Sequence, residues 1–592
     1  MVRTAARPPG PETSTPEQLT PRFTLRDLLA GLALFLATAC VVLWQNAHVA
    51  VLWDTSYVLD SAMRFAHGQI PYRDFPFVHP PLTFLVQAVI IRFTGRVFFH
   101  HVIYAAVVGG LATILTWRLV LASLRGRVAS PWMTALLLAA PLTVLGIYSI
   151  IPIPEYDGDC AFWILVALWL LQRAEAKGGI ARGIIAGILL CLPLFTKQNM
   201  GLPFLTASAV AVLVVLMSIT MRRREDRAGI PGAQMLLSIT AGSGVTLIAA
   251  ALVLHGTTGI RNYIYWTITF AGQRRLPNLN SMLAVFNDPA LVWALPCIAT
   301  ALVLLIAARR FRSAKIVAFL LLAAPFFYTL ASLVIYDDPD SRGDSLLALW
   351  PLLLLLATVA TIANLFRLGR NLSVRALFPF IILAAVFGTF MSQELWGSTY
   401  AIWPLLTLLI AELLAPFSPI IARTGSRWFV ATLAALVSVT LFVCGSFYTA
   451  SEERLAYINL PDAPVEHSAF PALAGMSTPG PYLPEFDELL RFAAANIPQN
   501  DGLMLIPGED PFYFATGRVP KYPVFLFDPT TDPYSPTETA AMVQSKNIRW
   551  LIVKRDLQIK TDTTPDRAAT MQALMSEFTQ AAHLRGYDVY RR

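Results

Sequence analysis

The sequence predicts a mainly α protein: a polytopic transmembrane helix bundle of about thirteen spans, followed by a small C-terminal extracytoplasmic α/β domain. Three observations predict it. Of 592 residues, 56% are hydrophobic and only 14% charged. A soluble domain carries about 25% charged residues, so this chain cannot cover itself with water-compatible groups. Mean hydropathy is +0.58. Apolar runs of span length recur along most of the chain, with arginines in short runs between them. The final stretch instead alternates strand-like and helix-like patterns. A water-soluble enzyme and a disordered chain are both excluded.

Residues 1–25, rich in Pro, Thr and Arg, read as a disordered cytoplasmic tail. Residues 26–447 read as the membrane module and 448–592 as the outside domain. The apolar run 28–44 exceeds a signal h-region and has no small-residue cleavage site behind it, so it is the first span. Further spans are expected at 98–120, 131–150, 160–173, 182–196, 201–220, 233–254, 289–308, 315–335, 346–366, 376–393, 401–417 and 428–447. The stretch 80–94 is short. If it crossed, the Arg125 and Arg127 loop would move outside, against the positive-inside rule. It therefore reads as an interfacial helix within a first outside loop, 47–97. A second long outside loop covers 255–288. The clusters Arg222–Arg223–Arg224, Arg309–Arg310–Arg312 and Arg367, Arg370, Arg375 then face the cytoplasm. The net charge of +8 is thus topological and points to no nucleic acid.

An odd number of spans puts the C-terminus outside. There, 503–506, 523–526, 549–554 and 587–591 read as strands, and 484–496, 536–546 and 566–583 as helices. The five cysteines form no CxxC pair and read as apolar fillers. With no cleavable signal and long apolar spans, the expected home is a plasma (inner) membrane.

The polar residues that could carry chemistry sit at the outer face. Asp54 lies just past the first span, opening an amphipathic helix with Tyr57, Asp60 and Arg64. A base at the lipid boundary and a plain helix N-cap are both open to it. The loop continues through Tyr72, Arg73 and Asp74 in PYRDF and His79 in HPP. Glu155, Asp157 and Asp159 crowd the turn between the third and fourth spans. The turn is either a polar helix boundary or an acceptor or metal site, where oxygen ligands would suit Mg²⁺ or Mn²⁺. Lys197 and Gln198, in TKQN, break the positive-inside trend from outside. The lysine either snorkels or pairs with a phosphate at headgroup depth. Arg274, Arg275 and Arg342 are further outside cations for the same phosphate. Two Trp-Pro helix starts, Trp350–Pro351 and Trp403–Pro404, either line one lipid groove or mark interfacial tryptophans. The tail loop 507–518 either contacts an acceptor or packs the tail onto the membrane part.

These residues together resemble the GT-C superfamily of polyprenyl-phosphate-sugar-dependent glycosyltransferases, such as the protein mannosyltransferases and the lipid A aminoarabinose transferase. The resemblance rests on Asp54, the GQIPYRDF…HPPL stretch, the EYDGD turn, Lys197 and the outside tail. It implies inverting transfer of a sugar from a polyprenyl-phosphate donor to an extracytoplasmic glycan, lipid or protein acceptor. In that reading Asp54 is the general base, with Asp60 as alternative or helper, and Lys197 with its neighbouring cations holds the donor phosphate. Family members often carry Asp-Glu in this loop, whereas Thr55 follows Asp54 here. The resemblance requires no cofactor and leaves a divalent cation open. Two rivals stand beside it: a flippase or transporter of lipid-linked sugars, and a membrane-anchored scaffold. No P-loop and no HExxH is present.

Overall fold

The computed structural model describes residues 24–47, 52–222, 230–307, 311–368, 372–392, 401–416, 428–451, 463–528, 530–555 and 565–592. The expected tail 1–23 and the arginines at 223–224, 309–310 and 370 lie outside them.

The chain opens with α1 (Leu25–Asn46), whose Thr24 and Asp27 form a capping box that satisfies the backbone N–H groups of both residues. Three helices follow: α2 (Leu52–Ala66), α3 (Leu82–Thr94) and α4 (Phe98–Leu124). Helix α2 begins before Asp54, so this residue is its third and not its N-cap. Helix α3 packs on α2 and touches α4, and α4 packs along α1.

The expected span 131–150 is broken into α5 (Pro131–Ala139) and a single turn, α6 (Leu142–Leu145). Pro141 stands at the break; it lacks an N–H and restricts the residue before it. Next come α7 (Tyr156–Lys177), α8 (Ile180–Thr196), α9 (Gln198–Arg222) and α10 (Ile230–Thr257). Helix α8 packs against α7, α9 and α10. The sharp α8–α9 turn requires Gly201, because a Cβ there would lie 2.2 Å from the Pro193 carbonyl oxygen.

The second long loop holds α11 (Ile260–Ile264), a π-helical turn at Tyr265–Phe270, α12 (Ala271–Arg275) and α13 (Leu279–Leu283). The bundle continues with α14 (Pro289–Ala307), α15 (Arg312–Ile335), α16 (Pro339–Leu347), α17 (Leu349–Leu368), α18 (Phe378–Gly388), α19 (Trp403–Leu414) and α20 (Trp428–Ala450). Among the described residues, eight helices are long and apolar enough to cross a membrane. The segments expected at 131–150, 182–196, 376–393 and 401–417 form shorter apolar helices. Trp350 and Trp403 are both fully buried, so neither is an interfacial tryptophan.

The tail carries a two-stranded ribbon, β1 (Val465–His467) with β2 (Ser477–Pro479), and helix α21 (Tyr482–Asn496). Strand β3 (Gly502–Ile506) is followed by α22 (Phe512–Thr516), α23 (Pro536–Ser545), β4 (Ile548–Lys554), α24 (Pro565–Met575), β5 (Thr579–His583) and β6 (Tyr587–Arg591). These strands form one sheet in the order β3-β4-β6-β5, parallel only between β3 and β4. Two expectations are corrected. Residues 523–526 are buried but irregular, with Pro523 unable to donate to a ladder. Residues 566–583 are not one helix: α24 stops at Met575 and β5 pairs antiparallel with β6.

The tail sits on the first loop. Asp60, 1% exposed, accepts from the backbone N–H groups of Phe514 (2.7 Å) and Tyr513 (3.4 Å), at the start of α22. Ser56 Oγ lies 2.9 Å from the Gly508 and Asp510 carbonyl oxygens. Arg64 donates to the Tyr522 carbonyl and stacks over Phe525 at 4.0 Å. Arg96 donates to the Phe514 and Ala515 carbonyls at 2.8 and 3.0 Å. Loop 507–518 therefore docks the tail onto α2.

Candidate functional site

Four separate segments converge at one end of the bundle. Asp54 comes from the first turn of α2, where a carboxylate favours the positive end of the helix dipole. Glu155 occupies the N-cap position of α7 but makes no capping hydrogen bond with its side chain. Its carboxyl instead hydrogen-bonds to Asp54. Glu155 keeps some surface exposed, yet the surrounding protein desolvates its carboxyl. That burial, then Asp54 and Asp157, hold it well above the usual carboxylate range, against the pull of Lys197. Two carboxyl groups in hydrogen-bond contact share a proton in preference to ionising together.

Lys197 is the residue at which α8 ends and α9 turns back. Its extended backbone (φ −148°, ψ 116°) interrupts the helix and turns the side chain toward α7. There it forms an ion pair with Asp157, both side chains being at least nine-tenths buried. The ammonium also lies 5.1 Å from the Tyr156 ring centroid. Tyr156 is the hub of the cluster, with Arg275, Asp54, Asp157 and Glu155 all acting on its hydroxyl.

His79 stacks on the Tyr156 ring itself, with centroids 4.1 Å apart and planes 22° apart. Arg275, at the end of α12, donates from Nη1 to His79 Nε2 at 2.8 Å. A guanidinium has no acceptor, so Nε2 carries no proton in this contact. Burial, then Arg275 and Lys197, hold the imidazole well below its ordinary value. The Tyr72 hydroxyl donates to the His79 carbonyl at 2.6 Å, and Tyr72 itself takes a left-handed φ of 65°. Tyr57 sets its ring edge-on to His79 at 5.5 Å. Gln198 Nε2 donates to the Thr267 carbonyl at 3.0 Å, tying the α8–α9 turn to the second long loop.

The structure thus brings Asp54, Tyr57, Tyr72, His79, Glu155, Asp157, Lys197, Gln198 and Arg275 into one neighbourhood. Others among the expected site residues go elsewhere. Asp60 receives the tail helix. Arg73 and Asp74 pair with each other at 2.8 Å on the surface. Arg274 is exposed, over the Phe270 ring at 5.3 Å and beside Asp532 of the tail. Arg342 donates from Nε to the Tyr336 carbonyl at 2.8 Å, on α16 where it packs against α15 and α20.

The three carboxylates of the acidic turn face three partners: Glu155 meets Asp54, Asp157 meets Lys197, and Asp159 accepts from three hydroxyls. Those donors are Tyr148 (2.6 Å), Thr83 (2.7 Å) and Tyr104 (2.8 Å). Among the described residues, no group of three or more His, Cys, Asp or Glu converges to hold a metal ion. The turn does not fit a Mg²⁺ or Mn²⁺ held by all three acids. Sequence reasoning missed Tyr148 and Tyr104 because a tyrosine inside an apolar run reads as core.

No protein-family model matches the chain, and no curated protein matches it at a significant level. Among solved structures, the chain is similar to ArnT from Cupriavidus metallidurans bound to undecaprenyl phosphate. Identity is 14%, covering 94% of this chain and 97% of that one, with a TM-score of 0.43. It is similar to the archaeal oligosaccharyltransferase AglB from Archaeoglobus fulgidus, in complex with an inhibitory peptide and a dolichol-phosphate. There identity is 12%, coverage 90% and 70%, and the TM-score 0.46. It is also similar to the arabinofuranosyltransferase AftD from Mycobacteria, at 12% identity, coverage 97% and 40%, TM-score 0.42.

Proposed function

We propose that this chain is an integral membrane glycosyltransferase. It moves a sugar from a polyprenyl-phosphate donor to an extracytoplasmic glycan, lipid or protein acceptor. In this reading the N-terminus is cytoplasmic, and the tail 448–592 stands outside a plasma (inner) membrane beside the site.

One observation carries the reading. A carboxyl pair, Asp54–Glu155, and two cations, Lys197 and Arg275, surround the single ring of Tyr156. Inverting transfer needs this division of labour. Asp54 takes the proton of the acceptor hydroxyl as that oxygen attacks the anomeric carbon. The bond from that carbon to the phosphate oxygen breaks on the opposite face, and the phosphate leaves with the electron pair. Lys197 and Arg275 neutralise the charge that develops there. His79 and Tyr72 hold Arg275 in place, and the apolar bundle gives a prenyl chain a non-aqueous path.

The test is the surface glycan and lipid-linked sugar profile of a deletion strain, complemented with wild type or with Asp54→Asn at matched expression. The expected result is a truncated glycan with an accumulated polyprenyl-phosphate sugar, both repaired by wild type alone. Full repair by Asp54→Asn would remove the base assignment and bring back transport of the lipid-linked sugar.

A further inference from the structure

Tyr148 stands in the segment between α6 and α7, in a left-handed conformation with φ 66°. A bulky residue adopts that region only when its surroundings over-determine it, and such strain gathers at functional sites. Two contacts fix it here. Its ring lies against Gly158 so closely that a Cβ at that glycine would come within 2.7 Å of it. Its hydroxyl donates to Asp159 Oδ1 at 2.6 Å.

The same oxygen also grips Glu155. It accepts from the Glu155 backbone N–H at 3.3 Å and lies 3.0 Å from the Glu155 carbonyl oxygen. A hydroxyl has one proton and two lone pairs, so it can donate to Asp159 while accepting from Glu155. Helix N-cap residues commonly turn their side chain back onto the helix amides. Glu155 does not, and its carboxyl reaches Asp54 instead. Its backbone is therefore held by a residue outside the helix.

We propose that Tyr148 is a positioning residue for the Glu155–Asp54 carboxyl pair, anchored by Asp159 and by the bare face of Gly158. The inference rests on the glycosyltransferase reading above. The EYDGD turn then divides its tasks: Glu155 faces the chemistry, Asp157 holds Lys197, and Asp159 holds the tyrosine that sets Glu155. Gly158 is the residue that admits the ring.

The experiment uses the purified full chain, with lipid extract from the deletion strain as donor, and compares Tyr148→Phe, Thr83→Val and Asp54→Asn with wild type. Tyr148→Phe keeps the ring packing and removes the hydroxyl, and should lower kcat about 10- to 100-fold with donor KM changed less than about twofold. Its pH–rate profile should shift as well, because the pair it sets is the titrating one. Thr83→Val removes another hydroxyl from Asp159 without touching Glu155, and should keep kcat within about threefold. 3-Fluorotyrosine at position 148 retains the hydroxyl and should restore kcat even if Tyr148→Phe folds poorly. A Tyr148→Phe enzyme with wild-type kcat and pH profile would overturn the proposal. So would equal losses in Tyr148→Phe and Thr83→Val, which mark a structural role. An Asp54→Asn enzyme with full activity would instead overturn the reading on which the proposal rests.

Discussion

Lys197 and Asp157 form an ion pair buried between the α8–α9 turn and the first turn of α7, with side-chain exposures of 6% and 10%. The pair links two helices at the point where Tyr156 gathers the remaining polar groups. A charge so placed is costly once its partner is gone, since the protein around it cannot reorganise as water does. Lys197→Met should therefore destabilise the fold by about 3–5 kcal/mol, read as a fall in thermal midpoint of the detergent-purified protein. The double variant Lys197→Met/Asp157→Leu should recover most of that stability and none of the activity. Recovery of activity as well would leave Lys197 a structural cation and no phosphate ligand.

Asp60 makes a second test, of how the tail is held. Burial pushes its carboxyl up to about 8, against the two amide donors of α22 and Arg64. The docked state thus keeps a proton that an undocked Asp60 releases above its ordinary value of 3.8. Docking should weaken as pH rises from about 4 to about 8 and level off beyond. Limited proteolysis within 507–518 across that range reads it directly. Asp60→Asn should flatten the dependence, and an unchanged slope in that variant would move its origin to another group.

The class of the protein is legible because composition alone forbids a soluble fold, and span-length apolar runs reappear as helices. Where reading fails, a local signal loses to context. The run 131–150 is apolar throughout, yet Pro141 breaks it. VFLF at 524–527 has strand composition, but Pro523 leads into it and the sheet is completed elsewhere. TQAAH, with little strand preference, becomes β5 because β6 offers it an edge. The site follows the same logic. Asp54, Glu155 and Lys197 stand out as polar residues at the ends of apolar runs. Their pairings join positions about 100 and 40 residues apart, which no spacing rule encodes.

The three arginines flagged by sequence separate by geometry into one that faces the cluster and two that do not. Arg275 reaches His79 at 2.8 Å beside Tyr156, whereas Arg342 is committed to the Tyr336 carbonyl and Arg274 sits over Phe270. Arg275→Ala should raise donor KM about tenfold or more, the scale of one lost charge-assisted hydrogen bond. Arg342→Ala and Arg274→Ala should leave it within about twofold. Titration of donor lipid with each variant checks the ranking, and equal effects from all three would dissolve it.

Glu155 offers the sharpest distinction between a charge and a hydrogen bond. Its carboxyl is held well above the ordinary 4.5, first by burial and then by Asp54 and Asp157. It therefore keeps its proton to higher pH than an ordinary glutamate, and Glu155→Gln preserves the shape and the charge of that protonated form. Near neutrality kcat should stay within about threefold of wild type, while Glu155→Ala should fall by tenfold or more, about the loss expected for one hydrogen bond in a site. Stability adds a second readout with a definite sign. The folded state keeps a proton on Glu155 that the unfolded chain loses above pH 4.5, so folded stability declines as pH rises from there toward the raised value. Glu155→Gln cannot lose that proton, so its thermal midpoint should fall less with rising pH than that of wild type. If the variant matches Glu155→Ala in activity and wild type in its pH slope, Glu155 works as a carboxylate, and the shared-proton description of the pair fails.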